Sequence, residues 1–152
     1  MPTTTPLMDL LFSLSNGLAL LAWLGLAASP FRVRWARRAR WFAGRVVPLA
    51  LAVVYVVLFA TTGMAGGGYG SLDEVRRLLA VPELLTAGWL HYLAFDLFVG
   101  AWIAERAGTL GVPHIVTVPL LGLTFLFGPA GLLAFAALRW FWLRRRSTAA
   151  VA

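Results

Sequence analysis

Residues 46–64, VVPLALAVVYVVLFATTGM, run without one charged side chain. A hydrocarbon layer about 30 Å thick takes roughly 20 apolar residues of helix, so this stretch reads as a membrane span. Three further apolar runs accompany it, at residues 7–28, 84–104 and 113–143. The expected fold is all-α and integral to the membrane: one domain over 1–152, a bundle of four transmembrane helices. Overall composition agrees. The chain has 152 residues, 61% hydrophobic and only 12% charged, whereas soluble domains carry about 25% charged residues. That excludes an ordinary soluble enzyme and a disordered chain. There is no cysteine, which excludes disulfides, thiolate zinc sites, iron–sulfur clusters and thiol catalysis.

The net charge is +7 and every basic residue is arginine. A pI near 11.5 would suggest nucleic acid in a soluble protein. Here the arginines cluster beside apolar runs, which is a topology signal. Arg32, Arg34, Arg37, Arg38, Arg40 and Arg45 separate the first two runs, interleaved with Phe31, Trp35, Trp41 and Phe42. We read them as an interfacial belt touching anionic lipids rather than as a nucleic-acid site. Trp140, Phe141 and Trp142 before Arg144, Arg145 and Arg146 form a similar belt, leading into a basic tail over 144–152. Membrane lipids are thus expected partners, together with a homo-oligomer; nucleic acid is not.

The first run has no positive leader and is followed by arginines that act as a stop, so it reads as a span and not a signal peptide. No transit peptide precedes it, and a bacterial inner membrane is the expected location. The positive-inside rule places the Arg32–Arg45 segment in the cytoplasm. Four crossings would then leave Arg139 and Arg144–Arg146 outside, against the same rule. The fourth run is long and is interrupted at Gly128-Pro129. A single span kinked there is the expected form. A re-entrant pair of half-helices, each too short to cross, would remove the charge conflict.

Between the second and third runs lies Gly66-Gly67-Gly68-Tyr69-Gly70, a hinge with no phosphate-loop Gly-Lys-Ser/Thr after it. Ser71-Leu72-Asp73-Glu74 then reads as a capping box. The apolar stripe Leu72, Val75, Leu78 and Leu79 predicts a short interfacial helix over about 71–81. Pro82 suits the first turn of the next helix.

Ionisable groups inside a membrane span cost about 2.5–3.5 kcal/mol and mark function by default. Asp96 is the clearest case, near the middle of the third run. Tyr92 is one helical turn before it and Trp89 lies on nearly the same line, with Gly100 beyond. His91 is five residues before Asp96; at 100° per residue the two project about 140° apart. His91 therefore shares a different face with Phe95, Phe98 and Trp102. In the first run Asp9, Ser13 and Asn16 share a face, and Asn16 is the deep one. Asn16, Ser13 and Thr124 are read as interhelical hydrogen-bond glue, and Gly17, Gly25, Gly88 and Gly100 as points of close helix approach. His114 follows Pro113 at the interface. No HxxxH, HExxH or ExxH spacing occurs, so neither a metal nor another cofactor is expected.

Two motifs carry a resemblance. One is Trp89-x-His91-x4-Asp96-Leu97-Phe98; the other is Phe127-Gly128-Pro129-x-Gly131, with Gly111-Val112-Pro113-His114 between them. This segment, from Pro82 onward, resembles the ABA4-like family (abscisic-acid-deficient 4), and the first run with Leu11-Phe12, Asn16 and Trp23 looks like its bacterial members. The resemblance implies a four-span membrane protein. Plant members are plastid proteins needed to make neoxanthin from violaxanthin. That step opens a 5,6-epoxide and removes a C7 proton, leaving an allene and a tertiary alcohol. It needs an acid at the epoxide oxygen and a base at C7. Carried over, Asp96 is the expected base and His91 the expected acid. Trp89, Tyr92, Phe95, Asn16 and His114 are the expected substrate-binding residues, and a carotenoid or other isoprenoid lipid the expected partner. The alternative is a non-catalytic subunit that binds pigment or assists assembly, with the same aromatics serving as packing.

Overall fold

The computed structural model describes residues 6–31 and 33–149, with side chains as far as Arg144. Arg32, the side chains of Arg145 and Arg146, and the end of the basic tail lie outside the described residues. Five helices follow one another: α1 (Pro6–Ala27), α2 (Arg34–Thr62), α3 (Leu72–Leu79), α4 (Pro82–Thr109) and α5 (His114–Ala149). There is no strand among the described residues. By length and composition α1, α2, α4 and the stretch His114–Arg144 of α5 could each cross a membrane.

Helix α2 begins well before its apolar run. The arginine segment, expected as a connection, is helical from Arg34 and joins the span through a π-turn at Phe42–Val46. Pro48 explains the π-turn. Its ring has no N–H for the Gly44 carbonyl, so the chain widens by one residue there. Gly44 also brings α2 onto α4: a Cβ on Gly44 would lie 2.5 Å from that of Ala101. The helix ends at Gly63, whose φ of +64° favours a residue without a side chain.

Helix α3 is nucleated as its sequence suggests. The Glu74 N–H donates to Ser71 Oγ at 3.2 Å, and Glu74 Oε2 accepts from the Gly70 N–H at 2.8 Å. Leu78 is buried, and Gly67 lies against its backbone with no room for a Cβ.

Helix α4 is the hub, packed against all four others. Its buried side is rich in small residues, Ala87, Ala94, Gly100, Ala101, Ala104 and Ala107, which lets neighbouring backbones approach closely. Gly100 accepts the Trp23 indole where a Cβ would collide with it. Gly17 and Gly25, expected as approach points, face open space among the described residues, and a Cβ on Gly88 would make an ordinary 3.4 Å contact with Leu79. The contacts of Asn16 with Trp89 and of Trp23 with Gly100 show that α1 and α4 run parallel.

Helix α5 departs from the expected kinked rod. The backbone leaves helical angles at Phe127 (φ −143°, ψ 42°) and Gly128 (φ 4°, ψ −76°). A straight helix would carry Trp142 about 42 Å from His114 at 1.5 Å per residue. Instead Trp142 Nε1 donates to the carbonyl of Leu110, just before α5 begins, at 3.1 Å. Phe135 packs edge-on against Trp102 with centroids 5.4 Å apart, and Gly131 meets the backbone of Thr124. So residues 114–126 rise along α4, the chain reverses at 127–128, and the remainder returns. Each arm is about 20 Å long to the level of Trp142. The physical reason is local. Pro129 has no N–H to offer the Phe125 carbonyl, which breaks the ladder. Gly128 and Gly131 then leave the two arms free to close on each other.

This reversal gathers charge at one end of the bundle. The N-terminal part of α2, the C-terminal turn of α4 and the end of α5 lie together there, joined by Arg45–Glu105 at 3.4 Å and by Trp142–Leu110. The opposite end holds α3 and the start of α1, where Met8 and Asp9 share a cleft with Pro82 and Leu85.

Candidate functional site

The face of α4 that carries Trp89, Tyr92, Asp96 and Gly100 is turned toward α1 and the tip of α5. Each residue has its own partner there. Trp89 Nε1 donates to Asn16 Oδ1 at 3.2 Å, and Asn16 Nδ2 donates to the Phe12 carbonyl at 2.7 Å. The Trp89 ring lies 5.6 Å from that of Phe12 and 5.2 Å from that of Tyr92. The Tyr92 hydroxyl donates to the Phe125 carbonyl at a long 3.4 Å. That carbonyl is the one Pro129 cannot serve, so a side chain from α4 takes the place of the missing backbone donor.

Asp96 lies at the break itself. A Cβ on Gly128 would fall 2.8 Å from the Asp96 Cγ and Oδ2, and closer still to Oδ1. The carboxyl thus occupies the space that a side chain at 128 would fill. Tyr92 stands one helical turn before it on the same face of α4. Asp96 Oδ2 is buried and has no hydrogen-bond partner among the described residues. A buried polar atom without a partner costs free energy and calls for a functional explanation. The second arm of α5 starts beside it, and a helix N-terminus favours negative charge.

Other predicted residues lie elsewhere. His91 stacks on Phe95 with centroids 4.5 Å apart and approaches Tyr55 of α2 at 5.7 Å. It faces away from Asp96, as the 140° projection requires, and the two do not meet. Phe95 is 59% exposed on that second face. His114 Nε2 donates to the Ala27 carbonyl at 2.8 Å, which ties the start of α5 to the end of α1. Thr124, expected as interhelical glue, bonds instead within its own helix, to the Leu120 carbonyl at 2.7 Å. Thr117 bonds to the Pro113 carbonyl just before α5 at 3.3 Å. Among the described residues no cluster of three or more His, Asp or Glu side chains is placed to hold a metal ion.

Sequence reasoning missed the Phe125 carbonyl and Gly128 as members of the site. The signal was present in Phe127-Gly128-Pro129, since proline names the orphaned carbonyl four residues earlier. The kinked single span expected from the sequence gave that carbonyl no partner on α4.

The family model described as ABA DEFICIENT 4-like matches residues 10–135. The chain belongs to the ABA4-like family. No curated protein and no solved structure matches it. The match to the ABA4-like model takes in all of α4, the reversal of α5 and most of α1, and so includes Asn16, Trp89, Tyr92, Asp96 and Gly128.

Proposed function

We propose that this ABA4-like protein is a membrane-embedded isomerase of a carotenoid or related isoprenoid, with Asp96 as base and Tyr92 as acid. The observation that carries this assignment is the buried, unpartnered Oδ2 of Asp96 at the broken tip of α5. An unsatisfied carboxylate oxygen in apolar surroundings is a ready proton acceptor. Tyr92, one turn away on that face, supplies a titratable hydroxyl.

The chemistry suits a substrate whose epoxide is allylic to a polyene. Tyr92 donates a proton to the epoxide oxygen as Asp96 accepts one from C7. The C7–H pair becomes a new C6–C7 π bond, the C6–O bond breaks, and the oxygen stays on C5 as an alcohol. Mass and oxidation state are unchanged. Passage of the proton from Asp96 to Tyr92 restores both groups. Phe12, Trp89 and Phe125 are exposed beside this pair and offer an aromatic surface to a polyene. His91, expected as the acid, has no part in this scheme, because its ring lies on the opposite face.

In the same proposal α5 is a re-entrant hairpin that enters and leaves the bilayer on one side, and α3 lies at the far interface. The arginines of α2 and the C-terminal arm then share the cytoplasmic side of a bacterial inner membrane, which satisfies the positive-inside rule. An all-arginine basic set fits a GC-rich bacterial genome.

The test is pigment analysis in a carotenoid-producing bacterium that expresses the full chain. The expected result is a new isomer of unchanged mass, lost in Asp96→Asn and Tyr92→Phe while protein level and melting in detergent stay near wild type. Bound but unaltered pigment would overturn the catalytic assignment in favour of a pigment-binding subunit. Loss of the protein itself in Asp96→Asn would make the carboxylate structural.

A further inference from the structure

The arginine-rich end of the bundle holds a cleft of about 990 Å³, remote from Asp96. Arg34, Trp35, Arg37 and Arg38 of α2 line one wall, and Glu105 and Thr109 of α4 the other. Arg34, Arg37 and Arg38 are spaced i, i+3 and i+4, so they share one helical face. None of the three has an ion-pair partner among the described residues. The single carboxylate of the cleft, Glu105, is already paired with Arg45 at 3.4 Å. Three cations therefore line this cleft without compensation.

The wall that carries them is held in place by a fourth arginine. Arg40 is only 3% exposed. Its Nη1 donates to the carbonyls of Ser29 at 3.1 Å and Pro30 at 3.4 Å, and its Nη2 to that of Phe31 at 3.3 Å. Its guanidinium also lies 5.0 Å over the Phe31 ring. Arg40 thus consumes its donors on the α1–α2 connection and pins the first turns of α2, leaving Arg34, Arg37 and Arg38 for something external.

Beyond the Arg45–Glu105 pair lies an apolar slot of about 370 Å³ between α2 and α4. Pro48, Leu49, Ala52, Ala94, Phe95 and Phe98 line it, and Arg45 is its only charged lining residue. A basic cleft joined through one ion pair to an apolar slot is complementary to an amphiphile with an anionic head and a hydrocarbon tail. Guanidinium groups bind phosphate oxygens in forked pairs.

We infer that this cleft binds the phosphate of an anionic phospholipid, with one acyl chain lying along the slot. The inference is independent of the chemistry assigned to Asp96. A soluble phosphoester would satisfy the arginines and leave the slot empty.

Native mass spectrometry of the full chain, released from detergent with equal phosphatidylglycerol and phosphatidylcholine, tests it. Wild type retains phosphatidylglycerol selectively. Near a membrane surface each arginine contributes roughly a 5-fold gain for anionic lipid, so the triple variant Arg34→Gln/Arg37→Gln/Arg38→Gln loses about 100-fold. The corresponding Arg→Lys triple variant keeps most of the retention and guards against loss of fold. Arg76→Gln/Arg77→Gln, at the other end of the bundle, leaves it unchanged. Ala52→Trp fills the slot and lowers retention with every charge in place. Equal retention of the two lipids, or wild-type retention by the glutamine triple variant, overturns the inference. Displacement of the lipid by an equal concentration of inorganic phosphate would also overturn it, as it would mark a site for free anions.

Discussion

Replacing Gly131 by Ala tests the hairpin of α5 at its tightest point. A methyl group there would lie 2.6 Å from both N and Cα of Thr124, and closer still to its Oγ1. Carbon atoms rest about 3.5–4.0 Å apart, so the arms would have to separate by about 1 Å at the tip. Inserting one methyl into a packed site costs typically 1–3 kcal/mol. The obstacle here is backbone, which cannot rotate aside, and Thr124 Oγ1 is held by the Leu120 carbonyl at 2.7 Å. The upper part of that range, about 2–3 kcal/mol, is therefore expected. Gly122 supplies the control. It lies on the outgoing arm with nothing within 4 Å of its own added Cβ. Alanine there should be neutral or stabilise the helix by up to about 1 kcal/mol. The two substitutions are chemically identical and should move stability in opposite directions, about 3 kcal/mol apart. Unfolding in mixed micelles, followed by circular dichroism against SDS fraction, measures the difference. A Gly131→Ala protein as stable as Gly122→Ala would mean that the arms do not touch, and the reversal at 127–128 would be wrong.

Topology gives an independent check. A green fluorescent protein fused to the C-terminus should fluoresce, and alkaline phosphatase inserted at Gly68 should be active, because α5 returns to the arginine-rich side. A dark C-terminal fusion would restore the single kinked fourth span. His91→Gln should leave any pigment product unchanged, as the imidazole faces Tyr55 and Phe95; loss of product with normal protein level would return His91 to the chemistry. His114→Ala should cost about 1 kcal/mol through its bond to the Ala27 carbonyl, seen as lower melting in detergent with product unaltered per folded molecule.

The membrane-spanning character of the chain was legible from its apolar runs alone, since hydrocarbon thickness and helix rise leave little choice of length. The grouping of Trp89, Tyr92 and Asp96 on one face, and the exclusion of His91 from it, followed from helical periodicity. So did the cap of α3, because Ser71 and Glu74 act within one turn. These are local properties, decided by residues a few positions apart. The helical extension at Arg34–Trp41 was hidden because charge there outweighed apolar periodicity. Its anchor, Arg40, is buried only because the Ser29–Phe31 carbonyls curl around it.

Tertiary structure alone decided between a kinked span and a hairpin for α5. Proline at 129 and glycines at 128 and 131 permit both, as each merely breaks the helix. The hairpin is selected by contacts distant in sequence: Trp142 on Leu110, Phe135 on Trp102, Tyr92 on the Phe125 carbonyl, and Asp96 in the space beside Gly128. The site follows from that selection. A carboxylate and a tyrosine one turn apart are written in the sequence, but the broken helix end that faces them exists only once α5 has folded back.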